Sequence, residues 1–328
     1  MINWNDVPDR EGYKNLLIGN GFSINICHDF SYNTLLDEAR RLTQRGTINI
    51  YPDTFELFDS LNTTNFEEIL KVYYHAYLVH KFNKPPIKTA YKKLQEGLFS
   101  TIQLKHVERD KTPTVLIFEE LKQYGKIFTT NYDLIPYWSF FDNGLESLKD
   151  FFWGEGQRVT FDRNNTEIFR GDFTQLFYLH GALHLEVTNF GKVRKRRIQD
   201  TLDDELEMMR DSFNINSGVY PLFITEGLTE HKLRKIKGND YLSFCFSNFK
   251  KINGNLLIYG HSLNEEYDNH IVEAIMKNPN IENVAISIYP NLPQERITEI
   301  EGIINRQLSG KRVIFFNSQT HPLGLELR

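Results

Sequence analysis

Four short polar segments carry residue types that suit a nucleotide site, and each follows an apolar run. The first is GNGFS, Gly19 to Ser23, after LLI. Two glycines one residue apart permit a tight turn and let backbone N–H groups approach a pyrophosphate, which makes Gly19, Asn20, Gly21 and Ser23 candidate phosphate contacts. Any strand-to-helix turn also uses glycine in this way. The second is TTNYD, Thr129 to Asp133, after KIF, which sets the amide of Asn131 and the carboxylate of Asp133 two residues apart beside Thr130. Asp133 also reads as the cap of a helix starting near Leu134, and that role leaves Asn131 to face a ligand. The third is LHGALH, with His180 just before Gly181. A histidine there serves either as a structural hydrogen-bonder or as a general base, since its ordinary pKa lies near neutrality. His184, four residues on, suggests a metal pair. The intervening Gly-Ala-Leu does not favour the helix that would align the two rings, and no cysteine or carboxylate cluster completes the set, so no metal is expected. The fourth is GHSLNEEYD, Gly260 to Asp268, after LLIY. Gly260 and Ser262 can offer backbone and hydroxyl groups to phosphate or ribose, or Ser262 or Asn264 can simply cap the next helix.

Each segment alone reads as readily as a turn or a cap. Their shared position weighs the other way, because open parallel sheets bind ligands outside the carboxyl ends of their strands.

The elements that must position these residues are legible as apolar runs bounded by Gly, Pro, Asn or Asp. They predict strands near 16–20, 126–130, 175–180, 220–225, 256–260, 284–289 and 312–317, buried on both faces and hence parallel. Residues 265–278 and 293–309 carry helical spacing, so residues 256–328 alternate strand and helix. The expected fold is α/β, a doubly wound Rossmann-like parallel sheet in a single domain, 1–328. Residues 51–110 read as a helical insertion after the first strand, divided at Pro85-Pro86, and 143–173 and 185–218 as loop-rich excursions. The basic run KVRKRR, 192–197, reads as a solvated hairpin tip or as a phosphate contact.

Composition limits the partners. The chain of 328 residues is 40% hydrophobic and 13% aromatic, ample for a core, and its net charge of −5 argues against direct coating of nucleic acid. No apolar stretch approaches the roughly 20 residues of a membrane span, and the start MINWNDVPDR is unlike a signal peptide. Cys27 and Cys245 cannot make a disulfide framework or a four-thiolate zinc site. A reduced, cytoplasmic protein is expected, away from membranes.

Taken in order, GNGFS, TTNYD, LHG and Gly-x-Ser resemble the sirtuin-like superfamily of NAD-consuming proteins, with its GAGxS turn, TQNxD loop, LHG triplet and GTS loop. PLFITEG, Pro221 to Gly227, is similar to the sirtuin strand that ends in Phe-Gly-Glu. No cysteine lies between Cys27 and Cys245, so the zinc module of sirtuin deacylases is missing; Thr130 stands where sirtuins carry Gln. These departures look more like the divergent bacterial sirtuin-like domains that hydrolyse NAD in anti-phage defence. The resemblance implies an NAD glycohydrolase that depletes NAD as its substrate, with no metal, and with His180, Asn131 and Asp133 at the reacting end. Gly19, Asn20, Gly21, Ser23, Thr130, Gly260 and Ser262 would hold the dinucleotide. It implies further copies of the chain as an oligomer, or a partner such as a translocase-type ATPase or a phage trigger. A sensor that binds NAD or ADP-ribose without turnover would keep the phosphate loops but need not keep Asn131 and His180. Deacylation or ADP-ribosyl transfer would need an open peptide groove.

Overall fold

A computed structural model describes residues 1–80, 82–154, 158–166, 173–196, 219–225 and 228–324. Its centre is β1 (Asn15–Ile18), whose NLLI side chains are all buried. On one side β1 pairs in parallel with β2 (Lys126–Thr129), and on the other with β10 (Leu256–Tyr259). Beyond β2 lie β6 (Thr174–Tyr178) and the two-residue edge β3 (Leu148–Lys149); beyond β10 lie β11 (Asn283–Ile288) and β12 (Arg312–Asn317). Every pairing in this seven-stranded sheet is parallel. The fold is therefore α/β and Rossmann-like, with apolar strands because helices cover the sheet. The chain runs outward from β1 toward β2 first and returns to β10 later. The topological switch point therefore falls between β1 and β10.

Between β1 and β2 come α1 (Asn20–Ile26), α2 (Tyr32–Gln44), α3 (Pro52–Ser60), α4 (Phe66–Val79), α5 (Lys84–Lys105) and α6 (Thr114–Leu121). Four of these starts have a local cause: Ser31 and Asn65 accept the N–H of Thr34 and Glu67 at α2 and α4, and prolines open α3 and α5. α7 (Ile135–Asn143) follows β2; α8 (Thr229–Gly238) and α9 (Asp240–Phe249) precede β10; α10 (Glu265–Met276) and α11 (Gln294–Gln307) separate the last strands. Aromatic rings tie α9 to the sheet: Phe249 meets Phe128 edge-on at 5.1 Å, and Phe128 stacks on Phe177 at 4.8 Å.

Two expectations need correction here. The PLFIT run does not join the parallel sheet. It forms β9 (Val219–Phe223), antiparallel to β7 (Gly181–Thr188), in a second, five-stranded sheet. That sheet also takes β4 (Phe152–Trp153), β5 (Arg158–Phe161) and β8 (Val193–Arg196) from the stretches read as loop-rich. Strands this short, rich in Asp, Asn and Gly at their borders, have too few residues for alternation to show. The remainder of the second excursion, 197–218, and Glu226 and Gly227 of PLFITEG lie outside the described residues.

Over its described part the basic run is largely paired within the second sheet, and Lys192, at the turn between β7 and β8, is the exposed exception. Lys195 is buried on β8, ion-paired with Asp150 and donating to Tyr137 Oη at 3.2 Å. Arg194 and Arg196 both pair with buried Glu186 of β7, at 2.8 and 3.1 Å. Arg197 is outside the described residues. Removing one partner of a buried pair strands the other charge, so Asp150→Ala should cost about 3–5 kcal/mol of stability. Replacing both Asp150 and Lys195 by leucine should cost much less. Chemical denaturation of the two variants checks this, and equal losses would show that the pairing is immaterial.

Candidate functional site

Strand register sets the site. Ile18 is level with Thr129 and with Tyr259, and Thr129 with Tyr178. The residues that follow, from Gly19, Thr130, Leu179 and Gly260, therefore leave the sheet at one edge. Asn20, Gly21, Thr130, Asn131, Asp133, His180, Gly260 and Ser262 all line one cavity of about 360 Å³, a size ordinary for ligand sites. Gly19 and Ser23 sit behind its wall, both buried. From the segments between β1 and β2, Ile24, Phe30, Leu35, Phe66, Leu98 and Ile102 supply an apolar face.

The N–H groups of these glycines are engaged within the protein. The N–H of Gly19 donates to Tyr259 O at 2.9 Å, that of Gly21 to Gly260 O at 2.8 Å, and that of Gly260 to Ser287 Oγ at 2.8 Å. None of the three is left to hold a phosphate. What needs glycine is the contact of the two turns. A Cβ on Gly21 would lie 2.8 Å from Gly260 Cα, and one on Gly260, whose φ is +68°, would lie 2.4 Å from Phe22 N. Gly181, with φ +82°, likewise abuts Leu222 O, where the chain leaves β6 and enters β7.

Asn131 and Asp133 are joined through Ser23. The Ser23 hydroxyl donates to Asp133 Oδ2 at 2.5 Å and accepts from Asn131 Nδ2 at 2.6 Å, while Nδ2 also donates to Gly19 O at 3.0 Å. This orientation commits both Asn131 N–H groups and leaves the amide oxygen with capacity for a ligand. Asp133 Oδ1 accepts from Ile135 N at 3.0 Å, the helix-start role considered for it. Thr130 bonds back to Ile18 O, and Asn20 Nδ2 donates to Phe30 O at 3.2 Å. Ser262 is exposed at the cavity mouth.

His180 is 3% exposed and stands in a cluster no local pattern announces. Its Nε2 lies 2.9 Å from His270 Nε2 and 3.9 Å from Asp268 Oδ1. Lys232, 1% exposed, donates to Asp268 Oδ1 at 3.0 Å and to both Glu67 oxygens at 2.9 and 3.0 Å. His261 Nε2 lies 3.7 Å from Asp268 Oδ2. Burial pushes His180 well below the ordinary histidine value, aided by the Lys232 charge, and lowers His261 and, to about 4, His270. Burial alone would raise Asp268, yet Lys232 and the histidines around it hold it well below the usual carboxylate range. Burial would likewise lower Lys232, but Asp268 and Glu67 raise it above its ordinary value. The cluster thus holds neutral imidazoles around a charged Lys–Asp–Glu set.

His180, Asp268 and His270 place three donor atoms within 4.8 Å of one another, a two-histidine, one-carboxylate set. Lys232 opposes a metal there: its ammonium already supplies the positive charge at the same Asp268 oxygen. We read the group as a hydrogen-bonded network. His184 does not line the cavity; it is buried, its ring stacked on Tyr137 at 5.2 Å.

No local sequence pattern marks Glu67, Lys232, His261, Asp268 or His270. Glu67 lies in an acidic first turn, which ordinarily just complements a helix dipole, and Lys232 is one of several cations in TEHKLRKIKG. Only tertiary packing separates them from their neighbours.

Two measurements follow from this geometry. Gly260→Ala should destabilise the fold, by about 1–2 kcal/mol for the left-handed backbone alone and more for the clash, and so lower the unfolding midpoint. Gly302→Ala, which meets open space in α11, should be neutral or slightly stabilising. Equal midpoints for the two would dismiss the turn-to-turn contact. The second concerns acid. His106, His180, His184, His261, His270 and His321 are buried with lowered pKa values, about 4 for His270 and about 3 for His321. Below pH ~6.5 the unfolded chain binds protons that the folded chain refuses. Stability is then complete above that value and falls as pH drops, by up to about 1.4 kcal/mol per pH unit per histidine. Thermal unfolding between pH 7.5 and 5 reads this directly; a flat profile would mean the histidines are not buried neutral.

Among the described residues no helix is long and apolar enough to cross a membrane, and Cys27 and Cys245 are both free thiols. A comparison with curated proteins finds no match. The model of a domain of unknown function, DUF4917, matches residues 16–323, most of the chain, and the protein belongs to that family.

Proposed function

We propose that the protein is a sirtuin-like NAD glycohydrolase, cleaving the bond between nicotinamide and ribose. The observation that carries this reading is the convergence of Asn131, His180 and the two glycine turns on a single cavity at the β1/β10 switch point. That is where doubly wound sheets hold dinucleotides. The reaction takes NAD and water to ADP-ribose, nicotinamide and a proton. The C1′–N bond breaks with its electron pair going to the nicotinamide nitrogen, so the leaving group is neutral and positive charge gathers on the ribose.

The charge inventory of the cavity suits that course. Glu67, Asp133 and Asp268 line it against one lysine, Lys232, already bound to two of them. Carboxylates at the reacting end favour a cationic transition state. Asn131 offers its amide oxygen to the attacking water or to a ribose hydroxyl, and His180, neutral near pH 7, accepts the proton. The phosphates would lie toward α1 and the Gly260–Ser262 turn, held by groups other than the three committed glycine N–H donors. Glu67 and Asp268, beside His180 in the cavity wall, favour the cationic nicotinamide over the pyrophosphate at that end. The resemblance that implies this chemistry also implies its setting, depletion of NAD in anti-phage defence, with a partner or a further copy of the chain controlling it.

Incubation with NAD, alone and with candidate partners, should yield ADP-ribose and nicotinamide. His180→Ala and Asn131→Ala should each lower kcat at least about a hundredfold while NAD affinity falls far less. Binding without cleavage under every condition would leave a sensor, and no binding at all would remove the nucleotide reading.

A further inference from the structure

α10 is not regular. Asp268, its fourth residue, has φ −128° and ψ 26°, a break inside the helix. On an unbroken helix, residues two apart point to different sides. Here Asp268 and His270 both reach one atom, His180 Nε2, at 3.9 and 2.9 Å. The carboxylate is also held from three other elements: Lys232 of α8 binds Oδ1, Glu67 of α4 shares that lysine, and His261 from the turn after β10 faces Oδ2.

We propose that Asp268 and His270 are positioning residues for His180, the first stabilising positive charge that arises on its ring and the second setting its tautomer. This rests on the reading of His180 as the proton acceptor in NAD cleavage. With Nε2 turned to His270, the nitrogen left to accept a proton is Nδ1. The resting ring must then carry its hydrogen on Nε2 and donate it to His270 Nε2, which places the His270 hydrogen on Nδ1. His270 Nδ1 is buried with no hydrogen-bond partner among the described residues, a cost that the pairing with His180 must offset. In the reaction an O–H bond of water breaks as Nδ1–H forms, the oxygen bonds C1′, and the C1′–N pair leaves with nicotinamide. His180 becomes an imidazolium, and Asp268 is the fixed negative group nearest its Nε2. A histidine's tautomer is set by the bond its other nitrogen makes.

The test combines kinetics with nitrogen NMR of histidine-labelled protein, using the full chain. In the wild type, His180 should show protonated Nε2 and bare Nδ1. His270→Ala should mix the tautomers and lower kcat about 10- to 100-fold with little change in KM; His270→Gln, whose amide oxygen can accept from Nε2, should restore much of both. Asp268→Asn should lower kcat by a similar factor and leave the tautomer intact. If that variant does not fold, the Asp268→Asn/Lys232→Met double variant, which removes both charges, is measured in its place. Unchanged kcat and unchanged tautomer in both variants would overturn the proposal. So would one tightly held divalent metal per chain, since the ring contacts would then be ligation. Should the wild type never cleave NAD, the hydrolase reading falls, while the spectra still decide whether His270 sets the ring.

Discussion

The contact of two backbone turns governs the rest of this molecule. β1 and β10 end level with each other, and the turns that leave them cross at van der Waals distance, Gly21 over Gly260, with the Gly21 N–H bonded to the Gly260 carbonyl at 2.8 Å. Side chains at these positions would hold the turns apart. Their closeness brings α1, with Asn20 and Ser23, against the loop that leads into α10. The cavity lies beside this contact, with Asn131 and His180 brought to it from the ends of β2 and β6. The N–H groups of Gly19, Gly21 and Gly260 are thus spent on shaping the site.

A second constraint joins the insertion to the sheet. Lys232 is almost wholly enclosed and spends its donors on Glu67 and Asp268. A lysine placed there is stable only while both carboxylates face it, because an unpaired ammonium in that position would lose its hydration without compensation. The pairing fixes α4 over the cavity and at the same time pins the broken turn of α10. Lys71 on α4 repeats the connection at the surface, through Glu266. The apolar roof of the cavity and the charge beside His180 are thus linked through Lys232.

How much of this is legible in the sequence depends on the range of the interaction. The buried strands announce themselves, because a strand covered on both faces has to be apolar throughout: Leu16 to Ile18 and Leu256 to Tyr259 leave no other reading. The strand-end motifs are visible for the same reason, as polar residues that interrupt apolar runs. PLFIT misleads because a run of that composition fits the interior of either sheet; only its partner, β7, distinguishes them. The basic run misleads because the carboxylates that neutralise it, Asp150 and Glu186, come from separate segments. Lys232 and Asp268 escape notice altogether. Each is an ordinary helix residue until Glu67, 165 positions from Lys232 in the chain, folds against it.

The low basicity of His180 bears on the chemistry proposed for it. A general base works best when its pKa lies near the working pH, and burial pushes His180 well below that. In ordinary hydrolysis this would be a poor choice, since the nucleophile must be activated before it attacks. Departure of nicotinamide from NAD changes the requirement. As the ribose gains cationic character, water becomes reactive without being deprotonated first, and its proton has to be collected only late in the step. A neutral imidazole then has an advantage over a more basic one. It carries no resting charge to repel the cationic ring of the substrate, and it acquires charge only when Asp268 is at hand to balance it. The same cluster would serve badly for a reaction that begins by removing a proton from an unactivated hydroxyl. Burial around His180 therefore favours chemistry in which bond breaking leads and proton transfer follows.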